Sequence, residues 1–299
     1  MRIVSFRLPI LFSIFGVLVL QACNSPFQPQ QVFSPELVVY GIAFRGDSTL
    51  VVRIETNSET PVNDTSNSEQ IAGLSGSLVN GTSGETTALA AEYVNGRNFL
   101  TSRAVLASGT NLNLTVHAPG YLTCTSSVTV LDSGIIYPSY YTTSVMRDPA
   151  SGGQPDPQFT IYPSALTSAI RLTMVLDYSG TGPDNTPVSG EIEVNPSYQK
   201  DTTSSFLRIN GAVTQVQFKL SAYTSAYSQA LGKITSGTVT AVLRLVQIDA
   251  TLYDFYSIAN GFNDPLTMQT EKPVYTNVKN GLGFFGSAAD DSLTIQVYP

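Results

Sequence analysis

The chain has 299 residues, 42% of them hydrophobic, and a formal net charge of −7. That is enough apolar material for a real core, which excludes a disordered chain, and an acidic surface repels phosphate backbones, which excludes nucleic acid as a partner. Charged residues make up only 12%, about half the usual share; Ser, Thr, Asn, Gly and Tyr carry the polarity instead, a balance that suits exposed β-structure on an outer surface better than a cytoplasmic enzyme.

The N-terminus has the three parts of a secretory signal. Arg2 and Arg7 are followed by an apolar run over residues 8–20 and then by Leu20, Gln21, Ala22 and Cys23. The run falls short of the about 20 apolar residues that a spanning helix needs, so it reads as a cleaved leader. A leucine, a tolerated residue, a small residue and a cysteine resemble the cleavage box of bacterial lipoproteins. The expectation is therefore a signal peptide over residues 1–22, cleavage between Ala22 and Cys23, and acylation of Cys23. Several acyl chains are needed for stable anchoring, because one chain alone binds a membrane only marginally. Loss of Arg2 and Arg7 takes the charge from −7 to −9. Residues 23–34 are uncharged and rich in Pro and Gln, and read as a flexible tether. Asn24 is not the aspartate that commonly retains lipoproteins in an inner membrane, so the expected location is the outer membrane.

Residues 35–132 read as a succession of short strands: 37–44, 50–55, 74–79, 88–94, 99–106, 112–118 and 122–131. Asn80-Gly81 and Asn95-Gly96 mark hairpins because both residue types tolerate positive φ. The run 112–118 alternates apolar and polar residues with the period of a half-buried strand. This spacing predicts an immunoglobulin-like β-sandwich. Residues 133–164 hold five prolines and Gly152-Gly153 and read as a Pro/Gly/Tyr-rich connection. A second β-rich domain is expected over 165–299, with strands at 170–178, 188–194, 213–220, 238–248 and 293–297. Leu252, Phe255, Tyr256, Ala259 and Phe262 recur at three- and four-residue intervals, which predicts one short helix ended by Gly261. The fold class is thus mainly β.

Most chemistry fails on inventory. With Cys23 acylated, Cys124 has no partner for an intramolecular disulfide and reads as a buried filler. His117 is the one histidine; no Gly-x-Ser-x-Gly elbow accompanies it, so no triad is assigned. One His and one free Cys do not make a typical zinc site. The oxygen-rich 63–69 stretch and Asp290-Asp291 lack the spacing of a known calcium loop. Glu191 and Glu193 share a strand face and could in principle serve glycosidase chemistry. No catalytic residue, metal or cofactor is expected. Fifteen tyrosines against no tryptophan is uneven. Tyr137, Tyr140, Tyr141, Tyr223 and Tyr227 fall in loop-like segments, where tyrosine either covers a sandwich edge or serves recognition. Tyr137, Tyr140 and Tyr141 are the candidate ligand contacts.

Three runs carry a family resemblance: 35–41 (PELVVYG), 253–257 (YDFYS) and 273–286 (PVYTNVKNGLGFFG). In these the chain resembles envelope lipoproteins that carry domain of unknown function 4249, over roughly residues 35–299. A phosphate loop is the sharper reading of the glycines at 281, 283 and 286, but no Lys-Ser/Thr follows and a strand rather than a helix comes next. The resemblance implies no known reaction. It implies an accessory of outer-membrane uptake systems with TonB-dependent receptors, by association. The leading expectation is a lipid-anchored, non-enzymatic binding or assembly module whose partners are the membrane and an outer-membrane transporter or other envelope protein. The alternative is a surface protein binding carbohydrate or peptide; third is a glycoside or other hydrolase.

Overall fold

Alternation in the first hundred residues builds strands with one wet and one dry face. β2 (Leu50–Thr56) buries Leu50, Val52 and Ile54 and turns Val51, Arg53 and Glu55 outward. β6 (Asn111–His117) does the same with Leu112, Leu114 and Val116. With β1 (Leu37–Phe44), β3 (Ser75–Asn80), β4 (Thr86–Val94), β5 (Arg97–Ser102) and β7 (Cys124–Thr129) they enclose one core. β1, β2 and β5 line one side of it, and β3, β6 and β7 line the other. β4 passes between the two layers: its first half pairs with β3 and its second half with β5. Asn95 and Gly96 make the β4–β5 turn with φ of 51° and 73°, the backbone a two-residue hairpin requires.

The computed structural model describes residues 35–57, 69–103, 106–147, 155–198, 206–261 and 275–297. Residues 1–34, which hold the expected leader, Ala22, Cys23 and the tether, lie outside that set, as does most of the oxygen-rich 63–69 stretch.

Longer strands follow. β10 (Ala169–Thr181), β14 (Ser236–Ile248) and β15 (Leu282–Val297) pair in antiparallel fashion, with β11 (Pro187–Val194) and the short β12 (Leu207–Arg208) on the outer edge of β10. Their inner face carries Leu172, Met174, Leu176, Ala241, Leu243 and Ile295. A second layer covers it: α1 (Tyr140–Arg147), α2 (Leu220–Leu231), and a three-stranded sheet of β8 (Ile135–Pro138), β9 (Gln158–Tyr162) and β13 (Thr214–Gln217) in the order β13-β9-β8.

The protein is mainly β, and the helix expected near 252–262 is α3 (Ala250–Gly261). Two features differ from the sequence expectation. The stretch 133–164 is more than a connection, because β8, α1 and β9 lie in it and Ile136, Met146, Phe159 and Ile161 enter the core. Its prolines obscured a period-two pattern only two apolar residues deep in each strand. Residues 220–231 form α2, with Tyr223, Ala226, Tyr227 and Ala230 on its buried stripe. Tyr223 and Tyr227 are thus core residues rather than loop residues; the Tyr223 hydroxyl donates to the Met146 carbonyl at 2.6 Å.

β15 joins the halves. Its first seven residues pair in parallel with β1, Val38 with Leu282 through Phe44 with Ala288, and residues 288–297 pair with β14. One twelve-stranded sheet therefore runs through residues 35–299, which form one unit by their contacts. The expected boundary at 133–164 separates two cores, not two sheets. A parallel pair is covered on both faces, and residues 283–289 are accordingly buried without a break. Phe285 faces the N-terminal core and Phe284 faces α3.

Candidate functional site

The three runs that carry the family resemblance meet at this β1–β15 seam. Tyr40 on β1, Phe255 on α3 and Phe284 on β15 form one aromatic cluster, with ring centroids 4.3 to 6.4 Å apart and mainly edge-to-face. Gly283 has φ +95°, and a Cβ there would stand 2.1 Å from the Val39 carbonyl oxygen. A Cβ on Gly281 would stand 2.6 Å from the Cys124 sulfur and 2.8 Å from the Leu37 carbonyl. Asn277 accepts from the Phe285 amide and donates to its carbonyl, both at 2.9 Å, so its side chain stands in for one residue of a neighbouring strand. Asp249 accepts from the Leu252 amide at the start of α3 and from the Ser287 amide on β15, each at 2.9 Å. Burial raises its carboxyl to about 6 against those two hydrogen bonds, which lower it. The Asn277 and Asp249 side chains of this seam thus serve pairing and capping, and the glycines at 281 and 283 are close-approach residues rather than a phosphate cradle.

Other residues singled out from sequence have structural partners as well. Cys124 is buried, its thiol 3.2 Å from the Asn280 carbonyl, and burial pushes the thiol up. His117 is exposed and its Nδ1 lies 3.3 Å from the Thr123 hydroxyl. Asp291 receives the Arg45 guanidinium at 3.0 Å, the Gly134 amide at 2.7 Å and the Gln247 side chain at 3.3 Å. Among the described residues no cluster of three or more His, Cys, Asp or Glu is placed to hold a metal.

Two surfaces of the C-terminal half bear on the residues singled out from sequence. The first is the outer face of the small sheet. Ile135 pairs with Tyr162 and Tyr137 with Thr160, and these four side chains point away from the core. Ile135 is 61%, Tyr137 63% and Tyr162 47% exposed, and Tyr140, at the start of α1, is 85% exposed. Gln158 and Gln215 extend the same face, bridged Nε2 to Oε1 at 2.7 Å. Of the candidate contacts, Tyr137 lies on this face and Tyr140 is exposed two residues beyond the end of β8; the Tyr141 side chain lies outside the described residues, although its backbone is in α1. Ile135 and Tyr162 were missed from sequence. The period-two outward positions of β8 and β9 were the available signal.

The second surface is an open groove of about 340 Å³ on the outer face of β11, β10 and β14, lined by Asp177, Ser179, Ser189, Glu191, Thr238 and Thr240 among others. Glu191 and Glu193 face outward, as expected, and pair with Arg244 at 3.1 Å and Arg171 at 3.6 Å. Asp177 stands directly across from Glu191. Burial raises its carboxyl above the usual range, Glu191 raises it further, and Arg244 lowers it. Its Oδ1 has no hydrogen-bond partner among the described residues.

A model of the family described as Domain of unknown function (DUF4249) matches residues 25–294. The chain belongs to this family. The DUF4249 match spans all three runs and the whole of the twelve-stranded sheet except its last residues. No curated protein matches. Among solved structures, a DUF4785 family protein from Legionella pneumophila is 12% identical, with a TM-score of 0.26, over 73% of this chain and 54% of that one. Trypsin-activated alpha-2-macroglobulin from Escherichia coli is 7% identical, with a TM-score of 0.25, over 89% of this chain and 16% of that one. This DUF4249 chain therefore spans about half of the first and a small part of the second, and likenesses this slight say nothing of its activity.

Proposed function

We propose that the protein is a lipid-anchored component of the cell envelope that binds another envelope protein, in the manner of an accessory to an outer-membrane uptake system with a TonB-dependent receptor. The observation that supports this reading is the outward face of β8 and β9. Tyrosine and aliphatic side chains rimmed by glutamine and threonine, on a rigid sheet backed by its own core, have the composition of a protein-recognition surface. Flatness favours a macromolecule over a small molecule, which prefers an enclosed cleft. The acylated Cys23 would tether the protein to the membrane in which such a receptor resides.

A photo-crosslinking side chain in place of Tyr137, in protein made in its native host, tests the reading. The expected product is an adduct with one integral outer-membrane protein that does not form when the same group replaces Val51 on β2. Adducts that are identical from both positions, or absent from both, remove the reading.

One observation favours a second reading, a surface protein for carbohydrate. The groove that Asp177 lines offers hydroxyls from Ser179, Ser189, Thr238 and Thr240. A polyol supplies donors and acceptors to such hydroxyls. Saturable binding of a soluble oligosaccharide that disappears in Asp177→Ala would favour it over the first.

A further inference from the structure

The chain enters the folded body at a defined end. Glu36 is fixed by its amide to the Asn57 side chain at 2.6 Å and by its carbonyl to the Asn57 amide at 3.1 Å, just before β1 begins. Register shows what else lies at that level. Leu37 pairs with Thr56, Val39 with Ile54, and Ile54 with Asn98, so the β4–β5 turn at Asn95-Gly96 stands beside the start of β1. The β6–β7 turn is there too: the Asn280 side chain donates to the Thr123 carbonyl at 3.1 Å, the Cys124 thiol lies 3.2 Å from the Asn280 carbonyl, Lys279 pairs with Thr125, and a Cβ on Gly281 would meet both Cys124 and Leu37.

Both turns carry large apolar side chains in the open. Leu122 is 69% exposed, on a Pro-Gly turn where nothing requires a leucine, and Tyr93 and Val94 are also exposed. Arg97 and Lys279 flank them. The small sheet lies far off. From Leu282 to Asp291, which accepts the Gly134 amide at 2.7 Å just before β8, β15 climbs about 30 Å at ~3.3 Å per residue.

We infer that this end of the sandwich is a membrane-facing pole, with Leu122 and the β4–β5 tip seated in the interfacial region of the lipid surface to which Cys23 is fastened. The inference rests on the lipid-anchor reading proposed above. Residues 24–34 are uncharged and reach at most about 40 Å even when fully extended. The point where they join the body is therefore held within about 40 Å of the bilayer, and apolar tips at that point gain by leaving water. The body is acidic overall, so the contact is apolar, and the two basic residues act locally. The same geometry holds the tyrosine face of β8 and β9 away from the lipid.

The chain has no tryptophan, so one introduced tryptophan is a clean reporter. Leu122→Trp, Val94→Trp and Tyr137→Trp are made in the native host, checked for acylation by mass spectrometry, and reconstituted in phosphatidylethanolamine–phosphatidylglycerol vesicles with nitroxide-labelled lipid. The expected result is blue-shifted emission and at least threefold stronger lipid quenching at positions 122 and 94 than at 137. Acylated protein with equal quenching at the three positions, or none at 122 and 94, overturns the membrane-facing pole and leaves the anchor standing. Protein that carries no acyl group overturns both.

Discussion

The two halves of the sheet bury themselves in different ways. The N-terminal half folds sheet on sheet, and β4 closes it by passing from one layer to the other, so its core has no outer layer to spare. The C-terminal half lays a small sheet and two helices on one face of β10, β14 and β15, and leaves the other face to threonines and ion pairs such as Arg244 with Glu191. Adding a layer creates a new surface. The outside of β8 and β9 is not needed for either core, and Ile135, Tyr137 and Tyr162 stay in water there. In the first half the exposed apolar side chains Leu122, Tyr93 and Val94 stand at turns, whereas in the second they share the face of a sheet.

The sharpest way to break this comparison is to cut the seam that both halves share. Gly283→Val puts a branched side chain at φ +95° and against the Val39 carbonyl; a loss of about 4–5 kcal/mol is expected, exceptional in size, because neither strand can shift without dragging its half along. Urea unfolding, followed by probes in each half, should show both halves lost together. A smaller effect tests the cores separately. Phe285→Ala in the first core should cost about 3–5 kcal/mol and Leu243→Ala in the second about 2–5 kcal/mol, both residues being fully buried. Each variant should keep a single transition at a lower midpoint. Two resolved transitions in Leu243→Ala would mean that β15 couples the halves less than its pairing implies.

Asp249 sharpens the picture at the next level down. Asp249→Ala removes the cap of α3 and leaves the Ser287 amide without its acceptor, an expected loss of about 1–2 kcal/mol. Its folded carboxyl sits at about 6, above the ordinary value of 3.8. A raised carboxyl favours the protonated native state, so its contribution is fully present below 3.8 and is lost as pH rises through about 6. The stability of wild type should therefore fall over that window relative to Asp249→Ala, and a carboxyl carbon titrating near 6 should be visible by NMR in wild type alone. Smallest of all, Tyr137→Ala and Arg244→Ala should each change stability by about 0.5 kcal/mol or less, since one side chain is exposed and the other sits in a solvated ion pair. For Tyr137 that near-silence is informative: it means that a crosslinking side chain can stand at 137 in a fully stable protein, which separates recognition from folding.

Strand alternation made the first half legible. Leu50, Val52 and Ile54, and again Leu112, Leu114 and Val116, announce buried faces at period two. The helix at 250–261 was legible for the same kind of reason at period 3.6. α2 was not, although Tyr223, Ala226, Tyr227 and Ala230 stand at helical spacing, because serines and alanines between them dilute the contrast that defines a stripe. The parallel pairing of β1 with β15 was hidden altogether. Its buried run at 283–289 reads as a continuous apolar stretch, which sequence periodicity does not assign to a partner. Of the tyrosines singled out as contacts, Tyr137 and Tyr140 proved to be exposed, and Ile135 and Tyr162 stand at outward period-two positions that only the pairing of β8 with β9 brings together. Asp177 was missed because a single acid in an apolar strand carries no signal until Glu191 is placed across from it.

The pairing of Val38 with Leu282 and of Phe44 with Ala288 closes a loop of some two hundred and forty residues. Contacts of such long range form late, because the entropy of bringing distant segments together is lost before any pairing rewards it. Until β15 is available, the flank of β1 stays open and its apolar neighbours lack a cover. A chain built in this way does not settle while its rear is still being delivered. Its final form waits on β15, which reaches β1 only after the rest of the sheet has been made.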